Sequence, residues 1–162
     1  MTMSDLQPTI IDQSLLDRVS TQATQSPRLR KNLNFHPDEE FCSHRLLNGM
    51  EPGSYIRPHR HLDPTKDESI VIVRGQVGFV AFDDDGNVTM TKVLASGGDT
   101  VGVDIPHGCY HTLLSLAAGS IFFEAKAGPY RPLNNGETAP WAPAEGDEQS
   151  GVYLATLESL FR

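Results

Sequence analysis

Glu68-Ser69-Ile70-Val71-Ile72-Val73-Arg74-Gly75-Gln76-Val77-Gly78-Phe79-Val80-Ala81-Phe82 reads as two short strands, Glu68–Arg74 and Val77–Phe82, joined at a glycine turn. β-Branched and aromatic residues fill both runs, and Gly75 punctuates them. Runs of the same kind extend outward on both sides: His44–Leu47, Tyr55–His61, Val88–Leu94, Thr100–Ile105, His111–Leu116 and Ile121–Lys126. Turn residues separate them at Glu51-Pro52-Gly53, Asp83-Asp84-Asp85-Gly86-Asn87, Ser96-Gly97-Gly98-Asp99, Pro106-His107-Gly108 and Ala118-Gly119. Short strands at even spacing, with no helical stretch between them, predict an all-β antiparallel barrel or sandwich over residues 43–126. The acidic turn lacks the Gly and Glu that a calcium loop needs at its sixth and twelfth positions, where Val88 and Leu94 stand, so it reads as a hairpin.

Outside the strands, Leu15, Leu16, Val19 and Ala23 recur at helical spacing over residues 12–25, with Asp12 or Ser14 as cap and Pro27 as stop. Residues 26–37 read as an irregular basic arm, so that 1–42 form an N-terminal helix and arm. The Pro- and Gly-rich tail, with Ala139-Pro140-Trp141-Ala142-Pro143, is expected to wrap the barrel as a strap that buries Trp141. Val152, Leu154, Leu157 and Leu160 or Phe161 then suggest a short closing helix within 127–162. With no repeat and no linker, the 162 residues make a single domain.

Hydrophobic residues are 38% of the chain and charged residues 21%, a globular balance, and the net charge of -8 disfavours nucleic acid and anionic membrane surfaces as partners. No apolar run is long enough to span a bilayer, and the N-terminus lacks the pattern of a signal peptide, so a cytoplasmic protein is expected. Cys42 and Cys109 are then a pair of reduced thiols, Cys109 as a small buried hydrophobe.

Side chains two apart in a strand share a face, which groups Tyr55, Arg57, His59 and His61. A lone histidine in a strand is ordinarily a surface or hydrogen-bonded residue; two at this spacing can reach one ion. Glu68 from the next strand and His111 after the Pro106-His107-Gly108 turn would complete three imidazoles and a carboxylate. That set suits one divalent Fe, Mn, Ni or Zn ion and leaves positions open for water or a ligand. Arg57, and Arg74 on the face of Glu68, Ile70 and Ile72, are candidates to clamp an anionic ligand, with Arg28 and Arg30 of the arm folding over the mouth. His36, His44 and His107 lack partners at ligand spacing.

The wider spacing from Gly53 through His59-Arg60-His61 and Glu68 to Gly75 resembles the first motif of the cupins, and Pro106-His107-Gly108-Cys109-Tyr110-His111 resembles the second. The loop from His61 to Glu68 is longer than is usual there, and Ser115 stands where the family often has Asn. The resemblance implies a double-stranded β-helix (jelly-roll) barrel with His59, His61, Glu68 and His111 around one metal. Ser26-Pro27-Arg28-Leu29-Arg30-Lys31-Asn32, Gly128-Pro129-Tyr130 and the Trp141 strap further resemble the WbuC family of cupin-fold metalloproteins. That likeness implies a bacterial protein of surface-polysaccharide (O-antigen) gene sets and supplies no reaction.

Three functions are consistent with these residues. One is a metal-dependent enzyme (isomerase, epimerase or dioxygenase) acting on a small sugar-derived ligand, with Tyr55, His107 or Tyr110 in proton transfer. The others are a non-catalytic metal-containing binder or sensor, and a metal-free sugar epimerase, against which the retention of all four ligands argues. A homodimer, paired through edge strands or exchanged residues 1–25, is expected.

Overall fold

A computed structural model describes residues 7–162. Helix α1, Gln13–Gln25, starts where the Asp12 carboxylate accepts the Leu15 N–H at 2.9 Å, and stops before Pro27. Eight strands follow: β1 Arg30–Asn34, β2 Ser43–Met50, β3 Glu68–Arg74, β4 Gln76–Phe82, β5 Val88–Ala95, β6 Gly102–Ile105, β7 Tyr110–Ser115 and β8 Ser120–Ala127; helix α2, Ser150–Ser159, closes the chain. They form a five-stranded sheet, β1-β2-β8-β3-β6, facing a three-stranded sheet, β5-β4-β7, with every pairing antiparallel. This is the expected all-β jelly-roll barrel with short terminal helices.

Two expectations are corrected. The arm is not irregular: Arg30–Asn34 pairs with Leu46–Met50 as the edge strand β1. Tyr55–His61 is not a strand; only His59 makes isolated bridges, to His111 and Thr138. Pro58 has no N–H to donate, which interrupts a ladder there.

Alternation sorts the side chains into three layers. Between the sheets lie Met50, Ile70, Phe79, Leu113 and Phe122. Outside the smaller sheet, Val80, Phe82, Tyr110 and Leu114 pack under the tail and α2 through Ala139, Ala142, Leu154 and Leu157, while Val152 stays exposed. Trp141 of the tail is half-buried rather than buried: it packs on Phe82 and Tyr110 while its indole N–H donates to the Asp84 carbonyl. Outside the larger sheet, Leu15, Leu16 and Val19 of α1 cover Leu47 and Ile121.

The helix approaches this closely because position 49 has no side chain. A Cβ on Gly49 would lie 3.0 Å from Val19 Cγ1 and 3.1 Å from the Ala23 Cβ. Gly49→Val is expected to push α1 off the sheet and lower stability by about 1–3 kcal/mol in urea unfolding; a change below ~0.5 kcal/mol would show that the helix shifts freely.

Cys42 and Cys109 are both free. Among the described residues no helix is long and apolar enough to cross a membrane. Of the N-terminal segment expected to be exchanged between copies, residues 1–6 lie outside the described residues.

Candidate metal centre

The strap and a single bridge to β7 together hold His59. Ala139 N–H donates to the Pro58 carbonyl at 2.9 Å, Arg60 N–H to the Glu137 carbonyl at 2.9 Å, and His59 and His111 exchange backbone bonds at 3.0 and 2.9 Å. Ile56 and His59 both face inward, so the two-residue phase expected from Tyr55 to His61 slips across Pro58. Ile56 faces the cavity beside His59, while Tyr55 packs outward against Tyr153 and donates its hydroxyl to the Pro143 carbonyl at 2.8 Å.

The long loop from His61 does not displace Glu68. Its extra residues fold into a turn, with Lys66 N–H on the Asp63 carbonyl at 3.0 Å and Thr65 hydrogen-bonded to the Asp63 carboxylate. Asp67 then accepts both the backbone N–H and the ring of His107 at 2.8 Å, and Gly108 N–H donates to the His61 carbonyl at 2.7 Å. The Pro106 turn thus clamps both ends of the loop. Glu68 enters β3 opposite Ile105 and Lys126, pointing inward.

Ligand atoms of His59, His61 and Glu68 all lie within 4.8 Å of one another. His111 joins through its Nε2, 3.1 Å from Glu68 Oε2, while His61 Nε2 lies 3.2 Å from Glu68 Oε1. The ring tautomers follow from their other partners. His59 Nδ1 lies 3.0 Å from the Arg57 carbonyl and His111 Nδ1 3.0 Å from the Cys109 carbonyl. Carbonyls only accept, so both Nδ1 atoms carry the proton and both Nε2 lone pairs turn inward. Burial, with His111 next in weight, pushes His59 down to about 3, so this imidazole is neutral at ordinary pH.

An Nε2 lone pair facing a carboxylate oxygen is repulsive unless a cation stands between them. His61 Nε2 is also buried with no hydrogen bond; its 3.2 Å approach to Glu68 is a contact without hydrogen-bond alignment. Burial opposes ionisation of Glu68, yet the carboxyl is held well below the usual range by its surroundings, the Lys126 ammonium at 2.8 Å among them. Three imidazoles and an ionised carboxylate, one nitrogen orphaned, fit a divalent transition ion.

Lys126 and Glu124, on the same face of β8, were not among the candidates from sequence. The Lys126 ammonium donates to Glu68 Oε1 at 2.8 Å and lies 2.7 Å from Glu124 Oε1. Only the first is aligned as a hydrogen bond; Glu124 Oε1 receives the ammonium's field alone, while its Oε2 accepts from Asn48 at 2.9 Å. Burial accordingly pushes the Glu124 carboxyl up, whereas the two acids outweigh burial at Lys126 and hold it charged. A charged pair at alternate positions of a run otherwise apolar, Ile121 to Lys126, was the available signal. Together with His59, Glu68 and His111 these groups line a cavity of about 170 Å³ whose floor is Met50, Ile70, Leu113 and Phe122.

Of the four arginines expected at the ligand, Arg30 alone lines this cavity, and it donates to the Tyr55 carbonyl at 3.0 Å and to Glu145 at 2.7 Å. Arg28 pairs with Glu145 at the surface. Arg57 donates twice to the Ala139 carbonyl, at 3.1 and 2.6 Å, and so anchors the strap. Arg74 pairs with Asp17 of α1 at 2.8 Å, because β3 shifts register against β8 between Ile72 and Arg74 and turns it outward. Tyr55 and Tyr110 are likewise outside the cavity: Tyr110 packs against Trp141, under the Arg60 guanidinium at 4.3 Å. Since His111 points inward, its strand neighbour points out. His107 is exposed and paired with Asp67.

Residues 11–94 match the family model described as a domain of unknown function, DUF6016. No curated protein matches the chain. Among solved structures the chain is similar to KdgF from Halomonas sp., at 17% identity and TM-score 0.50, over 65% of this chain and 84% of that one. It is similar to the conserved SPY1581 protein of unknown function from Streptococcus pyogenes, at 13% identity and TM-score 0.52, over 78% of this chain and 92% of that one. At such identities the likeness establishes the barrel fold, and it is of the cupin type.

Proposed function

We infer that this chain, which belongs to the DUF6016 family, is a metal-binding cupin that holds one divalent Fe, Mn, Ni or Zn ion on His59, His61, Glu68 and His111 and takes a small anionic or sugar-derived ligand. The observation that carries the reading is the inward pair of Nε2 atoms set against the Glu68 carboxylate, one of them without a hydrogen bond. A divalent ion bound there supplies Lewis acidity to a ligand oxygen. The apolar floor excludes water below the ligand, and Arg30 stands at its mouth.

Glu124 favours an enzyme over a carrier. Its carboxyl lines the cavity and burial raises its pKa, which suits it to exchange a proton with a ligand, the task assigned from sequence to Tyr55, His107 or Tyr110. The isomerase, epimerase or oxygenase chemistry, a place in surface-polysaccharide metabolism as in the WbuC family, a cytoplasmic location and pairing of two copies belong to the same reading.

Protein purified without added metal is expected to carry close to one equivalent of a divalent transition metal by elemental analysis. Metal-free protein from several growth conditions, unable to take up any of the four ions on dialysis, overturns the reading in favour of a metal-free epimerase.

A further inference from the structure

A second pocket, of about 350 Å³, opens beside the first and shares Asn48, Glu124 and Lys126 with it as a common wall. Its far side is built from the inner faces of β1 and β2, where Asn32, Asn34 and His44 stand at alternate positions, with His36 between the two strands and Tyr130 near its edge. Leu46 is the one aliphatic side chain among its lining residues.

The two histidines are a built element. His36 and His44 stack at 3.9 Å between ring centroids with 10° between planes, and both are buried, at 7% and 3% exposure. Burial and the neighbouring His36 hold His44 below its ordinary value, as stacking of neutral rings requires. His36 Nδ1 lies 3.2 Å from both the N–H and the carbonyl of Arg45, so either tautomer of this ring is satisfied there and its Nε2 can donate or accept. His44 Nε2 lies 3.2 Å from the Glu39 carbonyl, which makes it the donor and leaves Nδ1 with its lone pair. Among the described residues neither His36 Nε2 nor His44 Nδ1 has a hydrogen-bond partner. The stack thus offers one acceptor and one nitrogen of either role, the complement of a hydroxyl group.

The charges argue against an anion. Lys126 is already committed to Glu68 and Glu124, and the other carboxylate of the wall, Glu39, is acidic too. The neutral amides are partly paired, Asn32 donating to Asn34 Oδ1 at 2.6 Å and Asn48 to Glu124 at 2.9 Å, which leaves the Asn34 amide group and the Asn32 and Asn48 carbonyl oxygens for a ligand, and Tyr130, 47% exposed, adds an aromatic ring. Glu124, 8% exposed, reaches this wall with an Oε1 that has no hydrogen bond.

We infer that this pocket is a subsite for a neutral, hydroxyl-rich ring (a pyranose unit) belonging to the same ligand whose other end reaches the histidine–glutamate centre. The inference rests on the reading of that centre as a ligand site and adds what the remainder of the ligand is. An aglycone or purely anionic ligand would leave amides and the imidazole stack unpaired at desolvation, which recognition disfavours.

The test is a titration of the full chain with methyl glycosides of glucose, galactose, mannose and N-acetylglucosamine, following histidine ring signals by NMR. At least one glycoside is expected to move the His36 and His44 signals with a Kd on the order of 1–10 mM, while His111 stays in place. Asn32→Ala with Asn34→Ala, both at exposed positions and tolerable to the fold, is expected to weaken that binding about tenfold. Silent His36 and His44 signals with all four glycosides, or unchanged binding in the double variant, overturn the subsite. Metal content is measured on the same sample: silence in fully metallated protein refutes the subsite alone, whereas failure to take up metal refutes the reading of the centre.

Discussion

His59→Ala combined with His111→Ala is expected to leave purification with less than about a tenth of the metal carried by the native protein. Two of three inward imidazoles are removed, and Glu68 is left with His61 and the Lys126 ammonium, a set that favours a proton or the lysine over a divalent ion. The effect reaches stability. An ion present at about a thousand times its Kd adds about 4 kcal/mol to folding, which in a domain of this size is roughly 10 °C in Tm. Chelator should therefore lower the Tm of the native protein by about that amount and leave the double variant unmoved. Native-level metal in the double variant would show that the ion is bound elsewhere. Because His59 and His111 also bridge through their backbones, which alanine preserves, a folded variant is expected, and far-UV circular dichroism checks it.

Lys126→Met is the second large effect. It removes the ammonium from between two buried carboxylates, and a buried charge stripped of its partner costs about 3–5 kcal/mol. Metal-free protein is the material of choice, so that an altered ion affinity does not enter. The sign with pH follows from the shifts. Glu68 is depressed from an ordinary 4.5, so its contribution is present above that value and lost as pH falls through its folded value. Lys126 is raised from 10.5, so its contribution is present below that value and lost only at higher pH. The cost of Lys126→Met should thus be level between about pH 5 and 10 and shrink in acid. Adding Glu124→Gln should return part of the loss by removing one of the stranded carboxylates. A cost under ~1 kcal/mol in urea unfolding at pH 7 would mean that water already solvates the pair.

Alternation made β3 readable to its ends, Glu68 to Arg74, because inward Ile70 and Ile72 interleave with outward positions. The same rule failed wherever a local break reset its phase. The phase slipped across Pro58, leaving Tyr55 and Arg57 on the side away from His59, and the register shift after Ile72 turned Arg74 toward α1. Strand β1 was illegible for another reason. Arg30-Lys31-Asn32-Leu33-Asn34 has one apolar residue, and it is a strand because β2 offers it an edge. The histidines and Glu68 came from spacing; Lys126 did not, since a lysine in a strand reads as solvent-facing until its partners are known.

The strap that ties Pro58, Arg57 and Arg60 to residues 136–139 also fixes an order of assembly. On the ribosome His59 and His61 emerge long before Glu137 and Ala139, and until those arrive only the His59–His111 backbone pair and the Gly108 N–H on the His61 carbonyl hold the histidines against His111. Nascent chains that have completed every strand still lack a finished cage. On the proposed reading of the centre, the cage reaches its full set of backbone restraints only once residues 136–139 have docked, so an ion would meet the finished site last.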